Sequence, residues 1–142
     1  MNKLIIIRGL PGSGKTTLAR SIKGNDLSFY ITEPENYFTD ALGRFKREAC
    51  MDPVQIRKAL RGCFWETIAY LESGFNVVVS NNLIRLRELK PYIDNAKRLG
   101  SELQVIDMPI EPVLRKERIS QYDISFDKIL KMAERWQPYP QL

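Results

Sequence analysis

The residues best suited to chemistry form one loop near the amino terminus. Residues 9–16 match the pattern G-x-x-x-x-G-K-[S/T] and follow an apolar segment directly. In such a loop backbone N–H groups surround phosphates, the lysine bridges the β- and γ-phosphates, and the hydroxyl ligates magnesium. The pattern therefore predicts ATP and Mg²⁺ as ligands, with a glycine-rich turn without ligand as the alternative. The predicted nucleotide contacts in the loop are Gly9, Pro11, Gly12, Ser13, Gly14, Lys15, Thr16 and Thr17, and Thr16 is the predicted metal ligand.

The elements around this loop predict an α/β fold. Apolar, β-branched runs at 3–7, 28–31, 76–79 and 103–106 are typical of short strands, and the first is continuous enough to be buried on both faces. Helical spacing is expected over 16–22, from Pro53 to about Gly74, over 86–99, after Pro112 and over 126–136. The alternation predicts a P-loop NTPase fold, with a parallel sheet of about four to five strands covered by helices on both faces.

Composition narrows the class of protein. A length of 142 residues predicts a single domain spanning 1–142, and no apolar run approaches the length of a membrane span. The short apolar run at 4–7 is unlike a signal peptide, so we expect a cytoplasmic protein without membrane contact. The absence of histidine, with cysteine only at Cys50 and Cys63, excludes the common zinc sites and any histidine base. Both cysteines are expected to be packed in the core.

The net charge of +5 favours polyanionic partners, although a kinase that binds ATP needs several cations in any case. One basic cluster comprises Arg44, Lys46, Arg47, Arg57, Lys58 and Arg61. With the aromatic rings of Tyr37, Phe38 and Phe45 it could line a groove for a nucleic acid. A charged surface over an ordinary core is an equally open interpretation.

The chain as a whole resembles the small P-loop kinases typified by the 5′-hydroxyl polynucleotide kinase domain of phage polynucleotide kinase-phosphatases, and the related phage hydroxymethylpyrimidine DNA kinases. The resemblance spans nearly the whole chain. It is carried by residues 4–17, 29–30, 35–37, 80–83 and 107–109, the last preceding an arginine-bearing segment. It implies the same fold, ATP with Mg²⁺, and a hydroxyl acceptor.

The resemblance also implies catalytic positions on the acceptor side. A carboxylate after the second strand would take the proton of the attacking hydroxyl, and this position corresponds to Glu35, with Asp40 as the fallback. The arginine that holds the acceptor phosphate in the family corresponds to Phe38. Glu33 and Glu35 are alternatively plain turn carboxylates. Either glutamate is also a candidate to contribute to the magnesium site indirectly, through a hydrogen bond to a ligand of the ion.

Two further positions are implied by the same resemblance. The aspartate that the family often carries after the third strand is replaced by Ser80-Asn81-Asn82, which would position water or substrate or, alternatively, cap a helix with Asn82. The arginine that contacts the transferring phosphate corresponds to Arg118 first and to Arg115 second. Asp107 is expected to cap or orient rather than to catalyse.

The leading interpretation is an ATP-dependent kinase that acts on a hydroxyl of nucleic acid. The candidate acceptors are a hydroxymethyl group of a modified pyrimidine in phage DNA and a polynucleotide 5′-hydroxyl. Lys15, Glu35 and Arg118 are the expected catalytic residues. The phage assignment would place the protein in the host cytoplasm. Two alternatives stay open: a small-molecule kinase for a nucleoside, sugar or antibiotic, and a catalytically decayed nucleotide-binding regulatory protein.

Overall fold

The computed structural model describes residues 1–38, 42, 44, 46, 52–115 and 124–140. Helices and strands alternate along these residues as the sequence predicts. They are β1 (Lys3–Arg8), α1 (Lys15–Lys23), β2 (Phe29–Thr32), a 3-10 helix (Pro34–Phe38), α2 (Pro53–Glu72), β3 (Asn76–Ser80), α3 (Leu86–Leu99), β4 (Glu102–Asp107), α4 (Glu111–Leu114) and α5 (Phe126–Arg135).

The four strands form one parallel sheet in the order β2-β3-β1-β4. Strand β1 is central, with Leu4 opposite Val77 of β3 on one side and Leu103 of β4 on the other. Because all strands run in the same direction, their carboxyl ends lie at one edge of the sheet. Ligands of open α/β sheets bind at this edge, and the loop at 9–14 follows β1 there.

Alternate residues of β1 pack against helices on opposite faces of the sheet. Leu4 and Ile6 face the cluster that includes α2 and α3, whereas Ile5 and Ile7 face α1 around Ala19. A strand buried on both faces must be apolar throughout, which explains its continuous hydrophobic sequence. This arrangement confirms the predicted α/β fold with helices on both faces.

A third, smaller cluster lies above the carboxyl edge of the sheet. Its buried members are Leu10 of the phosphate loop, Val113 of α4 and Ile129 of α5. The last helix thus packs against the loop that the first strand leads into. The position of α5 is therefore coupled to the phosphate loop by direct apolar contact.

The predicted bounds of the elements differ from the structure by a few residues. The long helix begins at Pro53, where the Asp52 carboxylate accepts a hydrogen bond from the Val54 N–H at 2.9 Å, as expected of an N-cap. The helix expected after Pro112 is a single turn, α4. None of the described helices is long and apolar enough to cross a membrane. Cys63 is buried as predicted, and Cys50 lies outside the described residues.

Candidate active site

The phosphate loop joins β1 to α1 through glycines at positions where a side chain would clash or strain the backbone. A Cβ atom on Gly9 would lie 2.7 Å from the Ser13 hydroxyl oxygen and 2.9 Å from the Met108 Cβ atom. Gly14 directly precedes α1 with a φ of 94°, in the left-handed region that favours glycine. Both glycines are thus required for the loop to close over the start of the helix. Thr17, a predicted contact in the first turn of α1, is exposed, and Pro11 is buried.

Lys15 lies inside this loop. Its side chain is only 7% exposed, and its ammonium donates hydrogen bonds to the carbonyl oxygens of Gly9 at 3.2 Å and Leu10 at 2.9 Å. Burial lowers the pKa of Lys15 from 10.5 to about 8, although the nearby carboxylates of Glu35 and Glu33 oppose this change. The Lys15 ammonium is therefore a desolvated cation, and a bound phosphate would neutralise its charge.

Thr16 and Glu33 are brought together although 17 positions separate them in the sequence. The Thr16 hydroxyl donates a hydrogen bond of 2.9 Å to a carboxylate oxygen of Glu33, which is buried at the end of β2. This end of β2 is fixed to α2 by a buried contact of 2.7 Å between the hydroxyls of Thr32 and Thr67. Hydroxyl and carboxylate oxygens are the ligands that Mg²⁺ prefers, so these residues fit the ion that the loop pattern implies.

Glu35, the predicted base, lies in the 3-10 helix beside this pair. Its Oε2 atom is buried and has no hydrogen-bond partner among the residues that the structure describes. Burial raises the pKa of Glu35, while the Lys15 ammonium lowers it and Glu33 raises it further. A buried carboxylate oxygen without a partner is rare in folded proteins and calls for an explanation such as a ligand or a catalytic role. Lys15, Glu33 and Glu35 thus form one electrostatic cluster.

The polar residues after β3 have partly structural roles. Asn81 is buried, and its N–H donates to the Ile7 carbonyl at 3.1 Å. The alternative in which Asn82 caps the following helix is wrong, because α3 begins at Leu86 and Arg85 is its N-cap. The Asn82 carbonyl instead accepts a hydrogen bond from the N–H of Gly9 at 3.3 Å. The segment after β3 therefore supports the phosphate loop directly.

Arg8, which sequence analysis missed, is fully buried at the end of β1. Its guanidinium donates to the Leu83 carbonyl from two nitrogens, at 2.9 and 2.7 Å, to the Ile84 carbonyl at 3.1 Å, and to the Asp107 carboxylate at 3.0 Å. It also lies 4.1 Å from the centroid of the Trp136 ring. A single side chain thus links β1, the loop after β3, the end of β4 and the segment after α5.

Asp107 completes this network from the carboxyl end of β4. Its second carboxylate oxygen accepts a hydrogen bond of 2.8 Å from the backbone N–H of Tyr139. Burial lowers the pKa of Arg8, and Asp107 is the main opposing influence. Asp107 therefore orients other groups, as expected.

Comparison with known families places the chain. A family model described as an AAA domain matches residues 4–127, which is most of the sequence. The chain belongs to this AAA domain family. The matched region contains the phosphate loop, the Thr16–Glu33 pair and Glu35.

Solved structures with the same fold include several kinases. A chain of the Pnkp1/Rnl/Hen1 RNA repair complex is 22% identical, with a TM-score of 0.68 over 94% of this AAA domain and 43% of that chain. A sugar kinase from Janibacter sp. HTCC2649 is 10% identical, with a TM-score of 0.67 over 99% and 80% of the two chains. The APS kinase CysC of Mycobacterium tuberculosis is 17% identical, with a TM-score of 0.52 over 94% and 97%.

These likenesses confirm the P-loop kinase-like fold that the sequence predicts. This AAA domain spans less than half of the chain from the RNA repair complex. It spans nearly all of the APS kinase. The same fold thus occurs in a chain of an RNA repair complex and in an APS kinase, so the fold leaves the acceptor open.

Of the remaining predicted site residues of this AAA domain, the structure describes one and not the others. Arg115, the second candidate for the transferring phosphate, follows α4 and lies exposed, 3.5 Å from the Glu111 carboxylate. Arg118, the first candidate, and the fallback base Asp40 lie outside the described residues. Of the two arginines predicted to contact the transferring phosphate, the structure therefore describes only Arg115.

The groove expected from basic and aromatic residues is present in part. Arg57, Lys58 and Arg61 are exposed on α2. Tyr37 is 41% exposed, and its hydroxyl donates to a carboxylate oxygen of Glu66 at 3.1 Å. Phe38 is only 8% exposed, so the expectation that its ring stacks on a base is wrong. Phe45 and Arg47 lie outside the described residues.

Proposed function

We propose that this protein is an ATP-dependent kinase that transfers the γ-phosphoryl group to a hydroxyl on nucleic acid. The observation that carries this proposal is a buried carboxylate oxygen of Glu35, which lies near the Lys15 ammonium and has no hydrogen-bond partner in the part of the chain that the structure describes. A raised pKa suits a general base, because a more basic carboxylate accepts a proton more readily at the same pH. The arrangement combines a proton acceptor with a phosphate-binding cation in one cluster of interacting charges.

The proposed reaction is an in-line displacement. The acceptor hydroxyl oxygen attacks the γ-phosphorus, its proton passes to the Glu35 carboxylate, and the bond to the β-phosphate oxygen breaks to release ADP. Lys15 would exchange its bonds to the carbonyls of Gly9 and Leu10 for phosphate oxygens. Thr16 and Glu33 would hold Mg²⁺, which when bound neutralises phosphate charge. Arg118 or Arg115 would stabilise the transferring group.

The acceptor that we propose is a hydroxymethyl group on a pyrimidine of DNA, or else the 5′-hydroxyl of a polynucleotide. A polynucleotide is supported by the likeness to a chain of an RNA repair complex and by the exposed cations on α2. The internal hydroxymethyl group is favoured by Phe38, which stands where an arginine would hold a terminal phosphate. The Phe38 side chain has no polar group, and it is buried, so it cannot bind a terminal phosphate at this position.

A small-molecule kinase is the second candidate. It is supported by the sugar kinase and the APS kinase, which this chain matches over 80% and 97% of their lengths. A decayed regulatory protein is the third, and it is favoured by Ser80 where an aspartate is common in the resembling family. The retained Thr16–Glu33 pair argues against decay, because a protein without transfer does not require a magnesium site.

The test is transfer of label from γ-labelled ATP in the presence of Mg²⁺. The acceptors are a 5′-hydroxyl oligonucleotide, DNA with 5-hydroxymethylpyrimidines, and a mixture of nucleosides and sugars, with Lys15→Ala as the control. We expect label in one of the two nucleic acids with the wild type and none with the variant. Label only in small molecules supports the second candidate, and ATP binding without any transfer supports the third.

A further inference from the structure

A cleft of about 610 Å³ lies between the beginning of α3 and the end of α5. It is lined by Arg85, Arg87, Glu134, Arg135, Trp136 and Gln137. The volume falls within the range of about 300–1,000 Å³ that is typical of ligand sites. Two walls from distant parts of the sequence thus border an open cleft that the proposed reaction does not use.

The cleft carries an excess of positive charge. Three arginines face one glutamate, and no ion pair joins Arg85, Arg87 or Arg135 to a carboxylate within the described ranges. Glu88, one turn into α3, accepts a weak bond of 3.5 Å from the backbone N–H of Arg85. Arginine forks without carboxylate partners suit phosphate oxygens, which they bind with two parallel hydrogen bonds.

The cleft is joined to the reaction centre by Arg8. This residue directly precedes Gly9 of the phosphate loop, and its guanidinium lies against the ring of Trp136, which lines the cleft. The same guanidinium binds the carbonyls of Leu83 and Ile84, in the segment that leads from β3 to Arg85. A chain that leaves the carboxyl edge of the sheet along this segment would enter the cleft.

We propose that this cleft binds the sugar-phosphate backbone of a single-stranded segment of the acceptor, next to the reacting nucleotide. This inference rests on the proposed function and narrows its substrate class to a polymer. Phosphodiesters would contact Arg85, Arg87 and Arg135, and one base would pack near Trp136, as in proteins that bind single strands by cations and aromatic rings. Charge complementarity and the two-sided placement of the arginines favour a chain with several phosphates over one mononucleotide.

The experiment uses tryptophan fluorescence. The chain has two tryptophans, and Trp65 is 62% exposed on α2, so Trp65→Phe leaves Trp136 as the reporter. The probe is a short 5′-phosphorylated oligothymidylate, which offers no acceptor hydroxyl of either proposed type. We expect it to change the Trp136 emission at low salt, and we expect thymidine monophosphate to have little effect.

Two double variants distinguish binding in the cleft from a general effect of net charge on oligonucleotide binding. Arg87→Glu with Arg135→Glu should weaken oligonucleotide binding by about tenfold or more. The slope of the logarithm of the binding constant against the logarithm of the salt concentration should also become shallower by about 0.7 for each phosphate that the variant no longer binds. Lys3→Glu with Lys97→Glu makes the same change in net charge at the beginning of β1 and the end of α3, away from the cleft. The two double variants are compared at about 0.1 M salt, where charges beyond about 10 Å are largely screened. Under these conditions the control should bind within about twofold of the wild type.

The outcomes distinguish this inference from the proposed function. Lys15→Ala should lose phosphoryl transfer and keep the fluorescence change, because its substitution leaves the cleft intact. Equal binding by both double variants, or a mononucleotide that binds as tightly as the oligonucleotide, would overturn the polymer site even if transfer to DNA is found. Loss of binding in the cleft variant alone supports it.

Discussion

The two halves of the candidate site are built in different ways. The phosphate side consists of contiguous residues, 9–17, whose shape is set by glycine geometry and by one helix start. The proposed acceptor side combines Glu35 in the 3-10 helix after β2 with α2, which contacts this helix through the hydrogen bond between Tyr37 and Glu66. The first is fixed by local backbone, whereas the second depends on side chains that distant contacts hold in place. Function on the acceptor side can therefore change without loss of nucleotide binding.

The largest effect is expected from Glu35→Gln, which alters the acceptor side alone. The amide keeps the size of the carboxylate and cannot take a proton, so the rate of transfer should fall by about 10²–10⁴-fold. Nucleotide affinity, measured by titration calorimetry, should change little. Burial raises the pKa of Glu35, so the wild-type rate should begin to decline, as the pH is lowered, at a pH above the usual pKa of a glutamate. This decline should be absent from the variant.

Glu66→Gln is the matched control for this prediction. Glu66 lies on α2 and accepts the Tyr37 hydroxyl hydrogen bond, which an amide oxygen can also accept. Its transfer rate should stay close to the wild type. An unchanged rate in Glu35→Gln would remove Glu35 as the base and favour a carboxylate outside the described residues, such as the fallback Asp40.

Arg8→Ala tests the link between the two halves. The substitution leaves one oxygen of the Asp107 carboxylate and two carbonyls without the Arg8 donor, and loss of one partner of a buried pair costs about 3–5 kcal/mol. The free energy of unfolding in urea measures this loss. Arg98→Ala is the control, since this exposed arginine lies 4.0 Å from Glu72 and such surface pairs contribute about 0–1 kcal/mol. Equal losses in the two variants would show that the Arg8 network does not stabilise the fold.

The phosphate loop and its flanking elements could be predicted from sequence because their determinants are local. Glycine spacing, an apolar strand and a helical period all lie within about 20 consecutive residues. The Arg8 network could not, because its partners Leu83, Asp107 and Trp136 are 75 or more positions away and an arginine after an apolar run is typical of a strand end. Glu33 is a candidate from its sequence position, but its bond to Thr16 depends on the pairing of β2 with β3.

Lys15→Met tests whether burial of the Lys15 ammonium lowers the stability of the protein. The pKa of Lys15 falls from 10.5 to about 8 in the fold, so the charged ammonium destabilises the protein by roughly 3 kcal/mol at neutral pH. Between these values the unfolded state binds more protons, and wild-type stability should therefore rise with pH. The stability of the variant relative to the wild type should fall by roughly that amount from pH 7 to above pH 10.

Denaturant unfolding at the two pH values measures this difference, and transfer should be lost in the same variant. Lys97→Met, at an exposed position on α3, controls for removal of a lysine charge. A relative stability of Lys15→Met that does not vary with pH would show that the buried ammonium carries no such cost. The buried charge would then not lower the free energy of unfolding.

The smallest effect concerns the contact between α2 and the 3-10 helix that carries Glu35. A Cβ atom on Gly62 would lie 2.5–2.9 Å from three ring atoms of Tyr37. Alanine is favoured over glycine inside a helix by about 1 kcal/mol, yet Gly62→Ala should destabilise the protein by about 1–2 kcal/mol because the ring must move. In a Tyr37→Ala background the same substitution should instead stabilise it. A double-mutant cycle in urea measures the coupling, and additive effects would mean that the acceptor side is not held against α2 by this contact.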